Sequence, residues 1–317
     1  MKIFFLSASL FLMLFSCQNE DNADVTVNPA AQRYCASHDV LERQLKEDPQ
    51  LALKMNEIEE FTEKFKTNNV NYRLVNGQIE IPVVVNVLYR TAAENISLAQ
   101  IQSQIDVLNQ DFNATNPDYT QVPALFAGVK ADVGITFVLD QVIRKATTKS
   151  SWGTRDAMKK TKQGGLNPTS PTTKLNMWVC TIGGGILGYA QFPGGSSATD
   201  GVVIDSRYLG TSGTATAPFN LGRTATHEVG HWMNLRHIWG DAICGSDLVA
   251  DTPTHNTANY GVLAFPHLST CPSNPVEMTM NYMDYTDDAG MYMFSLGQKT
   301  RMDAVFAVGG SRASFRN

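Results

Sequence analysis

Residues 227–241 read HEVGHWMNLRHIWGD and place three of the chain's six histidines within eleven residues. On a helix, positions four apart differ by about 40° and roughly 6 Å of rise, so His227 and His231 share one face and can reach one metal ion. His237 can join them only if the helix stops. Six more helical residues would carry it about 9 Å onward and to another face. The chain must therefore break after His231 and double back. Asn234 stands where the break is needed, and after glycine asparagine best tolerates the left-handed conformation that ends a helix sharply. Three neutral imidazoles with one open position make a tetrahedral catalytic zinc site. Glu228, next to the first ligand, can take a proton from water there. The pattern points to zinc hydrolase chemistry; the plainer alternative is a chance HExxH on an ordinary helix.

The N-terminus bears on compartment. MKIFFLSASLFLMLFSC has one early lysine, an apolar run too short for a comfortable membrane span, and Ser16 directly before Cys17. That arrangement resembles a bacterial lipoprotein signal over 1–16, with Cys17 the lipidated first residue of the mature protein. A secretory signal with an incidental cysteine is the alternative. Residues 17–32 are polar and acidic and suit a flexible tether. The expectation is an exported chain, lipid-anchored to a bacterial membrane, with the outer-membrane surface one place for it.

A net charge of −5 excludes the basic face of a nucleic-acid binder, and the basic stretch 144–162 is interrupted and reads as a solvated loop with a short helix. Without Cys17, four cysteines remain (Cys35, Cys180, Cys244 and Cys271), which permit three full pairings. Export makes disulfides permissible. Oligomeric state is not legible here.

Periodicity organises the rest. Residues 34–66 have helical spacing with Pro49 at a break, a helical segment over 33–74 that ends in a polar, turn-rich linker. The apolar run 79–90 suits a buried strand. Residues 96–115 form an amphipathic helix that Ser97 can cap. Further strands are expected at 134–145, 175–182 and 200–209, with a short one in GYAQFPGG (188–195). A helix over 220–235 carries the histidines, and a closing helix spans 295–308. Residues 75–317 thus read as an α/β layer packed on a less regular C-terminal half.

HEVGHWMNLRH resembles the extended zinc signature of the metzincin metalloproteases, with Asn234 at the usual glycine position, and NYMDY (281–285) resembles their Met-turn. The longer stretches LNMWVC, GYAQFPGG, TDGVVID, VADTP and NYMDYTDDAGMYMFSLGQKTRM resemble the pappalysin family and its ulilysin-like bacterial members, over roughly 33–310. The resemblance implies a metzincin-type catalytic domain: a twisted mixed sheet with backing and active-site helices and a loop-rich C-terminal subdomain. It implies zinc on His227, His231 and His237, Glu228 as general base and then acid, and Met283 as an apolar floor. Tyr285 would donate a hydrogen bond to the developing oxyanion. GYAQFP would align an extended peptide substrate by backbone pairing. Calcium is implied in the loop after the third histidine, where Asp247, Asp251 and Thr252 offer oxygen donors. Relatives carry a disulfide whose two cysteines are replaced here by Val262 and Gly290, which leaves Cys244–Cys271 as the retained bridge. Ulilysin-like members use an acidic residue at the place of Ala289 to accept arginine or lysine after the cut, so the resemblance leaves the side-chain preference of this chain open.

Cys35, in RYCASHDVLERQL, sits where the family has a cysteine-bearing prosegment. Its thiolate could take the open metal position and keep a precursor silent; pairing with Cys180, or an unpaired thiol, are the alternatives. Activation would be a cut in the linker near Arg73, which would also free the catalytic domain from the lipid. Two rivals remain: an idle surface lipoprotein that uses the fold for binding, and a zinc peptidase of another clan in which His237 is dispensable.

Overall fold

The computed structural model describes residues 32–68 and 79–316. The signal, Cys17, the tether up to residue 31 and the linker around Arg73 lie outside the described residues. No described helix is long and apolar enough to cross a membrane.

Two helices open the described chain, α1 (Ser37–Glu47) and α2 (Pro49–Asn68). Pro49 sits at the first position of α2, where its missing N–H is not needed. The expected break is therefore a helix start. Strand β1 (Ile79–Tyr89) follows, then α3 (Leu98–Phe112), whose first turn is capped by Ser97 accepting from the Gln100 N–H. β2 (Lys130–Ala131) is two residues long, and β3 (Ile135–Ala146) returns parallel to β1. β4 (Leu175–Cys180), β5 (Gly188–Ala190) and β6 (Val202–Asp205) complete the main sheet.

The order is β3-β1-β4-β6-β5, all neighbours parallel except β5, which runs antiparallel to β6. β1 and β4 are interior strands and almost wholly buried, as their largely apolar sequences require of a sheet covered on both faces. α3 packs on one face through Ile101, Ile105, Leu108 and Phe112.

α4 (Arg223–Trp232) carries the first two histidines, and every one of its residues is buried. It starts later than the expected 220: Gly222 is left-handed (φ 79°), and the Asp288 carboxylate accepts the N–H groups of Leu221 and Arg223. An acidic group from 65 residues onward fixes the start, which no local pattern announces. Residues 233–293 contain no strand or α-helix among the described residues, in line with a loop-rich C-terminal half. β7 (Phe294–Ser295) pairs with β2, and α5 (Leu296–Phe306) closes the chain behind a Ser295–Gln298 capping box. Cys244 and Cys271 form a disulfide, while Cys35 and Cys180 are free and buried.

Candidate active site

The helix that bears His227 and His231 ends in a Schellman turn. Asn234 lies at φ 72°, its N–H donates to His231 O (2.9 Å), and the Leu235 N–H donates to Gly230 O (3.0 Å). The turn brings His237 back. His231 Nε2 then lies 3.2 Å from His227 Nε2 and 3.1 Å from His237 Nε2. Ligands about 2.0–2.1 Å from a common tetrahedral centre lie about 3.3–3.4 Å apart, so this is the spacing of zinc ligands.

The opposite ring nitrogens are each held by an oxygen acceptor. His227 Nδ1 donates to Tyr282 O (2.7 Å), His231 Nδ1 to Leu235 O (2.8 Å), and His237 Nδ1 to Asp241. Each acceptor fixes the proton on Nδ1 and leaves the Nε2 lone pair aimed at the others. Burial first, and then the neighbouring histidines, push His227 and His231 well below the ordinary imidazole range, which favours the neutral form that a metal ligand needs. Asp241 was not singled out from the sequence, although HIWGD placed it four residues after His237. Burial would raise its carboxyl, but His237 and His38 outweigh that and hold it below the usual range.

The floor is set by Met283. A Cβ on Gly230 would lie 2.5 Å from its sulfur, so the glycine inside HEVGH is the space that lets the Met-turn close under the histidines. The Ile238 N–H donates to Met283 O (3.1 Å) and ties the returning chain to the same turn.

Glu228 is 1% exposed and faces Cys35 and the first residue of α1 rather than solvent. Its Oε2 accepts from Ser37 Oγ (2.8 Å) and lies 3.2 Å from Cys35 Sγ. Burial pushes its carboxyl up to about 7, against the hydrogen bonds from Cys35 and Ser37 and the charge of Arg33. Cys35 completes a cluster with the three histidines in which one ligand atom from each lies within 4.8 Å of the rest. Tyr285 O–H donates to the Cys35 carbonyl (2.9 Å).

The same segment adds a parallel partner to the exposed edge of β5. Ala36 N–H donates to Gly188 O (3.0 Å), Leu187 N–H donates to Tyr34 O (2.9 Å), and Ala190 N–H donates to Ser37 Oγ (2.8 Å). Gly188 lets β5 lie close against α4 and β6, since a Cβ there would come within 3.0 Å of Glu228 Cγ and 2.9 Å of Val203 O.

Arg33 fills a pocket of its own. It is 2% exposed, pairs with Asp288, donates to Thr286 O (3.1 Å) and Thr224 Oγ1 (3.3 Å), and lies over the Phe219 ring at 4.9 Å. A carboxylate for a basic side chain is therefore present beside Ala289, one residue earlier than the position compared in sequence. Local sequence gives no sign of Arg33, Ser37 or Asp288, because their partners lie 65 to 255 residues away.

The acidic loop is arranged differently. Thr252 Oγ1 donates to both carboxylate oxygens of Asp247 (3.0 and 2.9 Å). Asp251 turns instead to the start of α5, accepting from Ser295 Oγ (2.6 Å) and Gly297 N–H (2.8 Å). The three expected oxygen donors are thus divided between two tasks.

A family profile described as pregnancy-associated plasma protein-A, of the peptidase M43 group, matches residues 177–307. An extracellular metalloprotease of Colletotrichum graminicola is 32% identical over 81% of this chain and 88% of its own length. One from Pyricularia oryzae is 34% identical over 68% and 70%. Among solved structures, mature mirolysin of Tannerella forsythia in complex with a cleaved peptide is 41% identical, covers 75% of this chain and 96% of its own, and gives a TM-score of 0.73. A mutant of its precursor, promirolysin, is 37% identical, covers 90% and 97%, and gives 0.81. The histidine turn, the Met-turn and these likenesses agree: the chain belongs to the pappalysin-type (M43) metzincins and is a zinc metalloprotease.

Proposed function

We propose that this chain is the latent precursor of a secreted zinc endopeptidase, with His227, His231 and His237 holding the metal and the Cys35 thiolate in the fourth position. The carrying observation is the Cys35 cluster: a thiol among three lone pairs already stripped of other partners. Zinc held by these residues would supply a Lewis acid for the scissile carbonyl and for the attacking water. Glu228, raised toward neutrality by burial, takes the proton of the attacking water and passes it to the leaving amine. Tyr285 donates its hydroxyl hydrogen bond to the carbonyl oxygen as charge develops, in place of the Cys35 carbonyl it holds in the precursor. Backbone groups of β5 now paired with residues 34–36 align the substrate once that segment leaves.

The lengths of the relatives support this reading. Promirolysin covers 90% of the chain and mature mirolysin 75%, and the difference matches the helical segment ahead of β1. Both coverages support a prosegment over 33–74, with the activation cut in the linker near Arg73. A basic side chain suits the place that Arg33 fills opposite Asp288, so cut sites beside arginine or lysine are the expected preference. Export fits relatives named extracellular metalloproteases; lipidation at Cys17 and display on the outer membrane extend that reading. Calcium would use Asp247 and Thr252, a carboxylate that burial raises to about 6 and that a cation would relieve, without Asp251.

The test pairs the chain with its Glu228→Ala variant on a mixed peptide library, before and after the prosegment is cut away. Cleavage by the activated intact chain alone, stopped by chelation, is the expected result; equal silence of both after activation would favour a binding lipoprotein. Cys35→Ala should make the uncut precursor active early, and unchanged latency would remove the thiol from the account.

A further inference from the structure

Arg301, on α5, is a fully buried guanidinium that the reaction does not use. Part of it supports the zinc-binding turn: Nε and Nη2 donate to the Asn234 carbonyl at 3.4 and 3.2 Å. The rest is turned outward to α2. Nη1 and Nη2 donate to the two carboxylate oxygens of Glu59 at 2.9 and 2.7 Å, and Asn234 Nδ2 adds a third N–H at 3.3 Å. Three donors thus converge on one carboxylate in the forked geometry in which guanidinium groups recognise carboxylates. Both donor residues stay with the catalytic body, whereas Glu59 belongs to the segment ahead of β1.

We propose that Arg301 and Asn234 form a carboxylate-binding subsite of the released protease, for which Glu59 is the occupant in the precursor, and that its ligand is a carboxylate of the peptide substrate. The proposal rests on the reading that 33–74 is removed on activation. A buried guanidinium that loses its counter-ion must hydrate or find another anion. Here the replacement lies within reach of the cleft. Asn234 is three residues before His237, and Ile58, beside Glu59, packs where a Cβ on Gly194 would point, 3.2 Å away, beyond the end of β5. Cys35 meets Gly188 and Ser37 meets Ala190, so Arg33 lies toward one end of the rim strand and Gly194 toward the other. A substrate would therefore present a basic group at one end of the cleft and an acidic one at the other. Arg236 lies close enough to Glu59 to reinforce the positive field. Asp247 feels the charge of Arg301 and is the internal rival for it.

The experiment uses the protease released by cutting the full chain. Peptides sharing one cleavage site carry glutamate or glutamine at each position in turn, with free or amidated C-termini. At low salt, glutamate at one position is expected to raise kcat/KM about tenfold over glutamine, the worth of a charge-assisted hydrogen-bonded pair, and 1 M salt should erode the preference. If the free C-terminus alone gives the gain, the ligand is the terminal carboxylate rather than a side chain. In Arg301→Gln the glutamate-to-glutamine ratio should fall to unity whatever the overall rate. No position with more than a twofold preference in the native protease, or a preference that survives Arg301→Gln, overturns the proposal. A protease that cuts none of the glutamine peptides would instead undo the functional reading. Should Arg301→Gln fail to fold, Glu59→Gln in the full chain gives a second readout. Amide exchange over 49–68 should quicken about tenfold, and unchanged exchange would show that the pair does not hold α2.

Discussion

Two parts of this molecule were expected to hold metal, and they are built in opposite ways. Around the three histidines every Nδ1 is tied to a fixed oxygen while every Nε2 is left facing its fellows. In the loop after them, the Asp247 carboxylate takes the Thr252 hydroxyl and Asp251 takes two donors at the start of α5. The first set has no use for its lone pairs except a metal. The second is already employed by the protein, and a cation there would have to compete with the hydrogen bonds that shape the loop. Residue type alone does not separate the two; what the other side of each ligand does, separates them.

That contrast can be tested at its strong end first. Glu228→Ala should lower kcat/KM of the activated protease by about 10³ to 10⁴, with zinc content unchanged, because a general base is lost and no ligand is. Tyr285→Phe should cost about 10² in kcat with little change in KM, the mark of a donor used as charge develops. Asp241→Asn weakens the partner of His237 and should reduce zinc affinity by about 10- to 100-fold, read by competition with a chelating dye; an unchanged affinity would remove the second-partner argument for that histidine. At the acidic loop the effect should be smaller. Calcium at 100 times its dissociation constant stabilises by about 2.7 kcal/mol, a rise of a few degrees in Tm that Asp247→Asn should abolish and Asp251→Asn should not. If Asp251→Asn abolishes the rise as well, the division of that loop is wrong.

The smallest effect belongs to α2. Burial would raise the Glu59 carboxyl, but Arg301, Arg236 and Asn234 outweigh it and hold the group below its ordinary value. A carboxyl depressed in the fold contributes stability that is present above its unfolded pKa and lost as pH falls through the folded one. Docking of α2 should therefore hold at neutral pH and weaken below about pH 4.5, an ordinary carboxyl value, followed by amide exchange over 49–68. The Glu59→Gln variant should lose this dependence.

Much of the site was legible because its logic is local. The spacing of His227 and His231 is a helix face, Asn234 a left-handed stop, and Ser97 a cap three residues before Gln100. The expected β1, α3 and α5 segments lie within a few residues of the observed bounds for the same reason. The start of α4 was placed too early because it is fixed by Asp288, and no periodicity reports a carboxylate arriving from another loop. Ser37 and Arg33 escaped for the same cause. The family resemblance points to Ala289, where an acidic residue is missing, yet in this fold it is the neighbouring Asp288 that pairs with Arg33.

The central claim is that a thiolate and three imidazoles share one zinc in the uncut chain. X-ray absorption at the zinc edge of the full precursor tests it directly. One sulfur at about 2.3 Å with three nitrogens at about 2.0–2.1 Å is the predicted shell, with the sulfur lost in Cys35→Ala and after activation. A precursor shell of light atoms alone would contradict it.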